Sequence, residues 1–503
     1  MSTDRATSAG TDDSDSRVTP QLWWLSGIMA LGSFASLLDS TIVNVAVGPL
    51  AEAFDAELAT VQWVVTAYLL ALSATIPLSG WATARFGAKQ TIIAAQLVFL
   101  LGSLLSGFAW SAPSLIVFRV VQGIGGGLVV PIGQALLTQA AGPKRLGKLM
   151  AVVSVPAMFA PLLGPSLGGL LIDHLGWRWI FFINVPLCLL TLVLVLLRVE
   201  NAVAPSASAK LDVVGLVLLT PGLAGLLYGL SEAGSAGGFA NGRTLGSLTA
   251  GLLLLAAFTL RALRDRLNPL LDLSLFRGRS FRYGTLTGFW LSTAMFGVMI
   301  PLPLYFQIVQ GTSVLGSALL LLPQTLGYLI AVTLMNRLTV LLGVRNLALL
   351  GIMLTVAATI PYGLISAQPD MVLLSGAMTV RGFGLGVSMV PTMTLAFGSV
   401  PRELAPAATS TFNVFQRVGA SVGTAVLAVV LQQRVEDRLP PETATLAQVP
   451  PGDGLAATLA PAFGATFWWA LAFAVVALIP SLFLPGREPA RDCDRPGTPG
   501  NVM

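Results

Sequence analysis

Charge is what this 503-residue chain has least of: only 10% of its residues are Asp, Glu, Lys or Arg, against 55% hydrophobic. A soluble domain carries about 25% charged residues, so composition excludes a water-soluble fold. Cysteine is nearly absent as well: Cys188 sits in an apolar run and Cys493 near the end of the chain, which excludes a disulfide framework. His174 is the sole histidine, so no His/Cys cluster offers a metal site, and His174 itself reads as a solvated turn residue. No Gly-x-x-x-x-Gly-Lys-Ser/Thr loop and no strand-glycine-helix unit is present, which removes the usual nucleotide cradles and makes direct use of ATP an unfavoured reading. The net charge of +5 does not point to nucleic acid, because the basic residues fall singly or in short groups between apolar runs. The expectation is a non-enzymatic membrane protein without cofactor or metal. Residues 1–21 carry Asp4, Asp12, Asp13 and Asp15 and no apolar stretch, so they read as a disordered tail and not as a signal peptide.

What the chain has in abundance is long apolar runs. A helix crossing the hydrocarbon core needs about 20 residues, and with turn residues as boundaries the runs fall near 22–50, 59–82, 89–110, 112–138, 148–172, 177–198, 211–231, 244–264, 281–307, 314–337, 344–366, 369–398, 404–430 and 461–485. The fold class expected is therefore an all-α polytopic membrane protein with fourteen helices. Cytoplasmic loops collect Lys and Arg. With the N-terminus inside, twenty-one basic residues fall on the inner side and four on the outer, Arg178, Arg243, Arg434 and Arg438, while Arg119, Arg381 and Arg417 lie within the membrane. A missed helix would invert every later loop, so both termini are expected in the cytoplasm and the protein in the cytoplasmic membrane.

The first six and last six helices look like a duplication. Val121-Gln122-Gly123-Ile124-Gly125-Gly126-Gly127 with Pro131 in the fourth is echoed by Val380-Arg381-Gly382-Phe383-Gly384-Leu385-Gly386 with Pro391 in the twelfth. Gly164, Ser166 and Gly168 in the fifth are echoed by Gly419, Ser421 and Gly423 in the thirteenth. Repeated halves imply a site between them near the midplane. The chain then divides into a tail at 1–21, a six-helix bundle at 22–198, two inserted helices with a linker at 199–280, a second bundle at 281–485 and a tail at 486–503. The segment 432–461, rich in Pro and mixed charge, is the longest outer loop.

Two features carry chemistry. Asp39 lies in Leu37-Leu38-Asp39-Ser40-Thr41-Ile42, and an ionised carboxylate at membrane depth costs at least a few kcal/mol, which makes it a functional candidate by default. At 1.5 Å per residue it lies about 17 Å in from the outer helix end, and Arg119 about 10 Å in from the outer end of its own helix. Both occupy the outer half, so Arg119 is its candidate partner. The second feature is Gly164-Pro165-Ser166-Leu167-Gly168-Gly169, where small residues permit close helix approach and proline adds a bend.

Gly164-Pro165-x-x-Gly168-Gly169 followed by Asp173 and Trp177-Arg178-Trp179-Ile180-Phe181-Phe182-Ile183-Asn184-Val185-Pro186 closely resembles the antiporter motif of the major facilitator superfamily, in its fourteen-helix drug:proton antiporter branch. The run around Asp39 resembles that family's first-helix signature, and Arg119-Val120-Val121-Gln122-Gly123 its fourth-helix motif, whose arginine is linked to proton transfer. Gly80, Arg85, Gly87 and Lys89 resemble the inner-loop gate motif, with Ala84 where the family keeps an aspartate, a departure that puts the inner charge lock in doubt. The resemblance covers residues 22 to 485. It implies two six-helix bundles plus two inserted helices, and export of lipophilic small molecules (drugs, antibiotics or related metabolites) in exchange for protons, by a chain acting as a monomer. An uptake symporter and a non-transporting scaffold or receptor remain the alternatives. Candidates for the wall of a greasy cavity are Trp63, Tyr68, Gln122, Phe306, Gln307, Arg381 and Arg417. One intramembrane acid against three arginines argues against a dicationic substrate.

Overall fold

The computed structural model describes residues 18–200, 210–235, 238–264, 271–438 and 456–485. The stretches 1–17 and 486–503, most of the expected outer loop and parts of the linkers therefore lie outside the described residues. Every regular element among the described residues is helical. In hydrocarbon each backbone N–H and C=O needs a partner inside its own segment, and a helix supplies it.

The chain is a multi-pass membrane protein. Twelve helices are long and apolar enough to cross a bilayer: α1 (Pro20–Phe54), α3 (Ala88–Gly107), α4 (Ala112–Ala141), α6 (Trp179–Arg198), α7 (Val213–Gly234), α8 (Gly242–Arg264), α9 (Arg279–Val309), α10 (Leu315–Leu342), α11 (Val344–Gly363), α12 (Met371–Gly398), α13 (Arg402–Glu436) and α14 (Ala456–Leu482). The span α2 is a pair, Thr60–Thr75 and Leu78–Phe86, with a 53° bend between them. Pro77 stands at the break, where its missing N–H and its ring disfavour a straight helix. A further long helix, α5, runs over Pro143–Leu175, 33 residues or about 50 Å of helix. Together these helices occupy the positions of the fourteen apolar runs, and thirteen of them, counting the bent pair as one, are long and apolar enough to cross a membrane.

The duplication is visible in the packing. In the first six helices α1 lies against α4, α5 and α6, and α4 against α2 and α3; in the last six α9 lies against α12, α13 and α14, and α12 against α10 and α11. Gly123 and Gly127 bring α4 onto α2 just as Gly382 and Gly386 bring α12 onto α10. The turns match too: Gly87 between α2 and α3 has φ 84°, and Gly343 between α10 and α11 has φ 76°. Both are left-handed conformations that glycine adopts without strain. The inserted helix α7 packs between α2 and α13, with Tyr228 stacked on Trp63 at 5.6 Å. Its companion α8 leans on α7, leaves most of its surface outward, and is pinned by an Arg261–Asp212 ion pair of 2.6 Å.

The two bundles meet tightly at one end only. At the end where residues 18 and 485 lie, one apolar core runs through both, from Leu136, Leu137 and Leu149 to Met393, Phe397 and Phe412. At the opposite end each bundle has a separate core, one around Ile42, Leu50, Trp177 and Phe181, the other around Tyr305, Phe306, Tyr362 and Phe463. Between those separate cores lies a cavity of about 790 Å³.

Candidate functional site

The first bundle contains a sealed polar cluster. Asp39 and Arg119 are both fully buried, with Arg119 Nη1 2.5 Å from Asp39 Oδ2. The other carboxylate oxygen, Oδ1, accepts from Gln122 Nε2 at 2.9 Å and Asn184 Nδ2 at 2.8 Å. Both amides also donate to Ser103 Oγ, at 3.1 and 3.0 Å, and Ser103 in turn donates to the Phe181 carbonyl at 2.8 Å. Arg119 donates through Nε to the Val64 carbonyl at 3.1 Å and through Nη1 to Gln122 Oε1 at 2.7 Å, and its guanidinium lies 3.9 Å from the centre of the Tyr68 ring. Five helices thus build one network: α4 and α6 reach the carboxylate of α1, and α2 and α3 hold the groups that do so.

Local sequence explains the convergence. Gly102, beside Ser103, leaves no room for a Cβ against the Gln122 backbone, so α3 and α4 approach closely enough for Ser103 to reach both amides. A break between Trp179–Phe182 and Asn184–Arg198 puts Asn184 at the start of the second segment of α6. Burying a charge without partners would cost many kcal/mol. Here the carboxylate has three donors, the Arg119 guanidinium and the amides of Gln122 and Asn184.

The cavity is a different place. Asp39 is not on its wall, but its neighbours Ser40 and Thr41 are, with Asn44 a turn further. Thr66, Leu69, Leu70 and Ser73 of α2, Pro165 of α5, Leu227, Leu230 and Ser231 of α7, Met295 to Leu304 of α9, Gln324 and Thr325 of α10, Arg381 of α12 and Arg417, Ser421 and Thr424 of α13 complete most of the wall. The wall is mostly apolar and, among the described residues, holds no Asp or Glu. Arg381 donates to Gln324 Oε1 at 3.1 Å and to the Ala294 carbonyl at 2.9 Å. Arg417 crosses between the bundles to Ser73 Oγ at 3.0 Å.

Of the sequence-derived cavity candidates, Arg381 and Arg417 lie on the wall and five do not. Tyr68 and Gln122 belong to the Asp39 cluster, because the glycine run of α4 draws it against α2 and turns both side chains inward. Trp63 stacks on the inserted helix. Phe306 is buried in the second bundle's own core, and Gln307 donates to Ser317 Oγ at 3.1 Å. Sequence reasoning misses Ser103 and meets Asn184 only as part of the run that resembles the antiporter motif. The signal available for them was polarity inside an otherwise apolar span, which for Asn184 stands in the run Phe181-Phe182-Ile183-Asn184-Val185.

In the glycine and proline stretch of α5, Gly164 and Gly168 face α1, where a Cβ would overlap Thr41 or press on Ile42. Pro165 lines the cavity, and Gly169 faces open space. At the closed end, Gly80 lies against the Pro406 carbonyl and Ala407 of α13. Gly87 makes the turn already described, Lys89 Nζ donates to the Leu196 carbonyl at 3.2 Å, and Arg85 is partly buried. Asn413 Nδ2 donates across the bundles to Gln134 Oε1 at 2.6 Å, Ser410 Oγ to the Ile76 carbonyl at 3.0 Å, and Gln139 Nε2 to the Arg402 carbonyl at 3.4 Å. No carboxylate takes part in these three contacts. Among the described residues no group of His, Cys, Asp and Glu is arranged to hold a metal ion.

The sequence profile of the Major Facilitator Superfamily matches residues 29–424. The chain is 36% identical over 486 residues to the Multidrug resistance protein B homolog of Mycobacterium tuberculosis, spanning 92% of this chain and 90% of that one. It is 34% identical over 412 residues to the Tetracenomycin C resistance and export protein of Streptomyces glaucescens, spanning 82% and 76%. Among solved structures it is similar to the human organic anion transporter MFSD10, with a TM-score of 0.61 at 14% identity over 93% of this chain and all of that one. A second is the proton:xylose symporter XylE, with a TM-score of 0.59 at 16% identity over 92% and 96%. At such identities the two structures bear on the fold alone.

Proposed function

The chain belongs to the Major Facilitator Superfamily, and from that premise we propose that it is a proton-coupled antiporter exporting lipophilic small molecules across the cytoplasmic membrane by alternating access. The observation that carries the reading is the five-helix cluster around Asp39. It is a carboxylate that can hold or release a proton, placed next to Ser40 and Thr41 on the cavity wall yet closed off from the cavity itself. Sequence relatives named for multidrug resistance and tetracenomycin export support the substrate class, as does a largely apolar cavity of a size that takes a drug-like molecule.

In this reading both chain ends are cytoplasmic, and the conformation described is outward-open. The bundles rock about the cavity, α1 shifts against α4, and the Asp39 cluster opens to take up a proton. Protonation removes the charge that holds Arg119. The protein works as a monomer, and Asp39 and Arg119 are the coupling residues.

The test is uptake into inside-out vesicles with the pH difference and the membrane potential imposed separately. The first supplies about 1.4 kcal/mol per pH unit and the second about 2.3 kcal/mol per charge per 100 mV. Asp39→Asn imitates the protonated acid. It is expected to abolish concentrative uptake under either force while leaving substrate binding intact. If the Asn variant still concentrates substrate, Asp39 is not the proton carrier.

A further inference from the structure

Among the described residues, the cavity wall carries two arginines and no carboxylate. Arg381 is 1% exposed. Both of its hydrogen-bond partners, Gln324 and the Ala294 carbonyl, are neutral, and its Nε has none. Arg417 is partly buried and donates to the Ser73 hydroxyl. Among the described residues neither has a carboxylate within ion-pair distance. Two guanidinium charges on a mostly apolar cavity wall, neither with a counter-charge among the described residues, are an unbalanced arrangement.

The internal repeat sharpens the point. Each glycine run begins one residue after a polar side chain, Gln122 in α4 and Arg381 in α12. In the first bundle that side chain donates to Asp39. In the second bundle the position holds the charge itself, and its partners include no acid. The buried acid of the first bundle, Asp39, is already satisfied by Arg119, Gln122 and Asn184 and is sealed from the cavity, so it does not neutralise the wall.

We propose that the cavity is built for amphipathic anions: an apolar body of drug size carrying a single carboxylate, phenolate or sulfonate, with Arg381 and Arg417 supplying the counter-charge. This deepens the export reading above and rests on it for the direction of transport, but not for the binding preference. A planar guanidinium matches a carboxylate with two parallel hydrogen bonds, which a lone ammonium does not. Leu69, Leu227, Leu230, Phe296 and Met299 give the body its apolar surroundings. An anion leaving as a proton enters moves two charges in the sense the inside-negative potential favours, so export is electrogenic.

The experiment is equilibrium binding to the purified full-length protein in zwitterionic nanodiscs, without any gradient, against empty nanodiscs. The probes share one body and differ in charge: 9-anthroate, 9-anthracenecarboxamide and 9-anthracenylmethylammonium at pH 7. The expected order is anthroate tightest and ammonium weakest. Arg417→Gln and Arg381→Gln are each expected to weaken anthroate by at least about 30-fold, as removing one partner of a desolvated charge pair does, with the amide unchanged and Arg417→Lys retaining part of the preference. Binding of the amide reports that a variant is folded, and the parental order decides the matter even where Arg381→Gln does not fold. The proposal is overturned if anthroate binds no better than the amide, if the ammonium matches it, or if the preference survives loss of both arginines. Vesicles that fail to export, from a protein that still prefers anthroate, would refute the antiport reading and leave this one standing.

Discussion

Gly164 and Thr41 meet so closely that not even a methyl group fits between α5 and α1. Thr41 Oγ1 donates to the Ala160 carbonyl at 2.9 Å, one turn earlier on α5. Because Thr41 is two residues from Asp39, the small-residue face of α5 bears directly on the turn of α1 that carries the buried acid. Any slide of α5 along α1 is transmitted to that turn.

That contact separates two glycines of the same motif. Gly164→Ala adds a methyl where Thr41 already stands, and overpacking of this kind costs about 1–3 kcal/mol. Gly169→Ala points into open space and is expected to be neutral. Thermal unfolding and export rate in proteoliposomes are expected to fall for the first and hold for the second. Equal behaviour of the two would remove the close approach as the reason for the motif.

The Asp39–Arg119 pair gives a second contrast. Arg119→Gln leaves the carboxylate buried with Gln122 and Asn184 but no cation, and breaking a buried pair from one side costs about 3–5 kcal/mol. The double variant Asp39→Asn with Arg119→Gln removes both charges and is expected to recover most of that loss while remaining unable to couple. Chemical denaturation in detergent measures it. A double variant as unstable as the single one would mean that the cluster is held by something other than charge pairing.

Asn413 and Gln134 tie the bundles together at the closed end. Replacing Gln134 with alanine removes a hydrogen bond worth about 0.5–1.5 kcal/mol, a shift of roughly 2- to 12-fold toward conformations open at that end. Spin labels at the exposed positions Phe86 and Leu404 are expected to report a larger population of long distances. An unchanged distance distribution would show that the apolar core alone keeps this end shut.

Ala84 allows the reverse test. Aspartate there restores an acid to the inner segment of α2, where an ion pair with an inner base is worth at most about 1 kcal/mol. The position lies near the C-terminus of the segment Leu78–Phe86, where the helix dipole disfavours negative charge by some tenths of a kcal/mol. The same labels are expected to shift toward the short distance by less than about fivefold. A large shift, or a shift to longer distances, would contradict that balance.

The positions of the long helices, the repeat and the pairing of Asp39 with Arg119 were all legible in the sequence, since each rests on a quantity that runs along the chain. Apolar length sets the span, glycine and proline mark the breaks, and depth at 1.5 Å per residue brings two opposite charges to one level. Which face of a helix a side chain occupies is not such a quantity. Tyr68 and Gln122 looked like cavity residues and are packed onto the ion pair, while Ser103 and Asn184 looked like ordinary residues of apolar spans and hold the carboxylate. The glycines of α3 and α4 set how deep each helix sinks into its neighbour, and that depth decides which polar groups come within hydrogen-bond reach. The separation of the sealed acid from an arginine-lined cavity, with one core shared between the bundles at one end and two cores at the other, is likewise a product of tertiary packing.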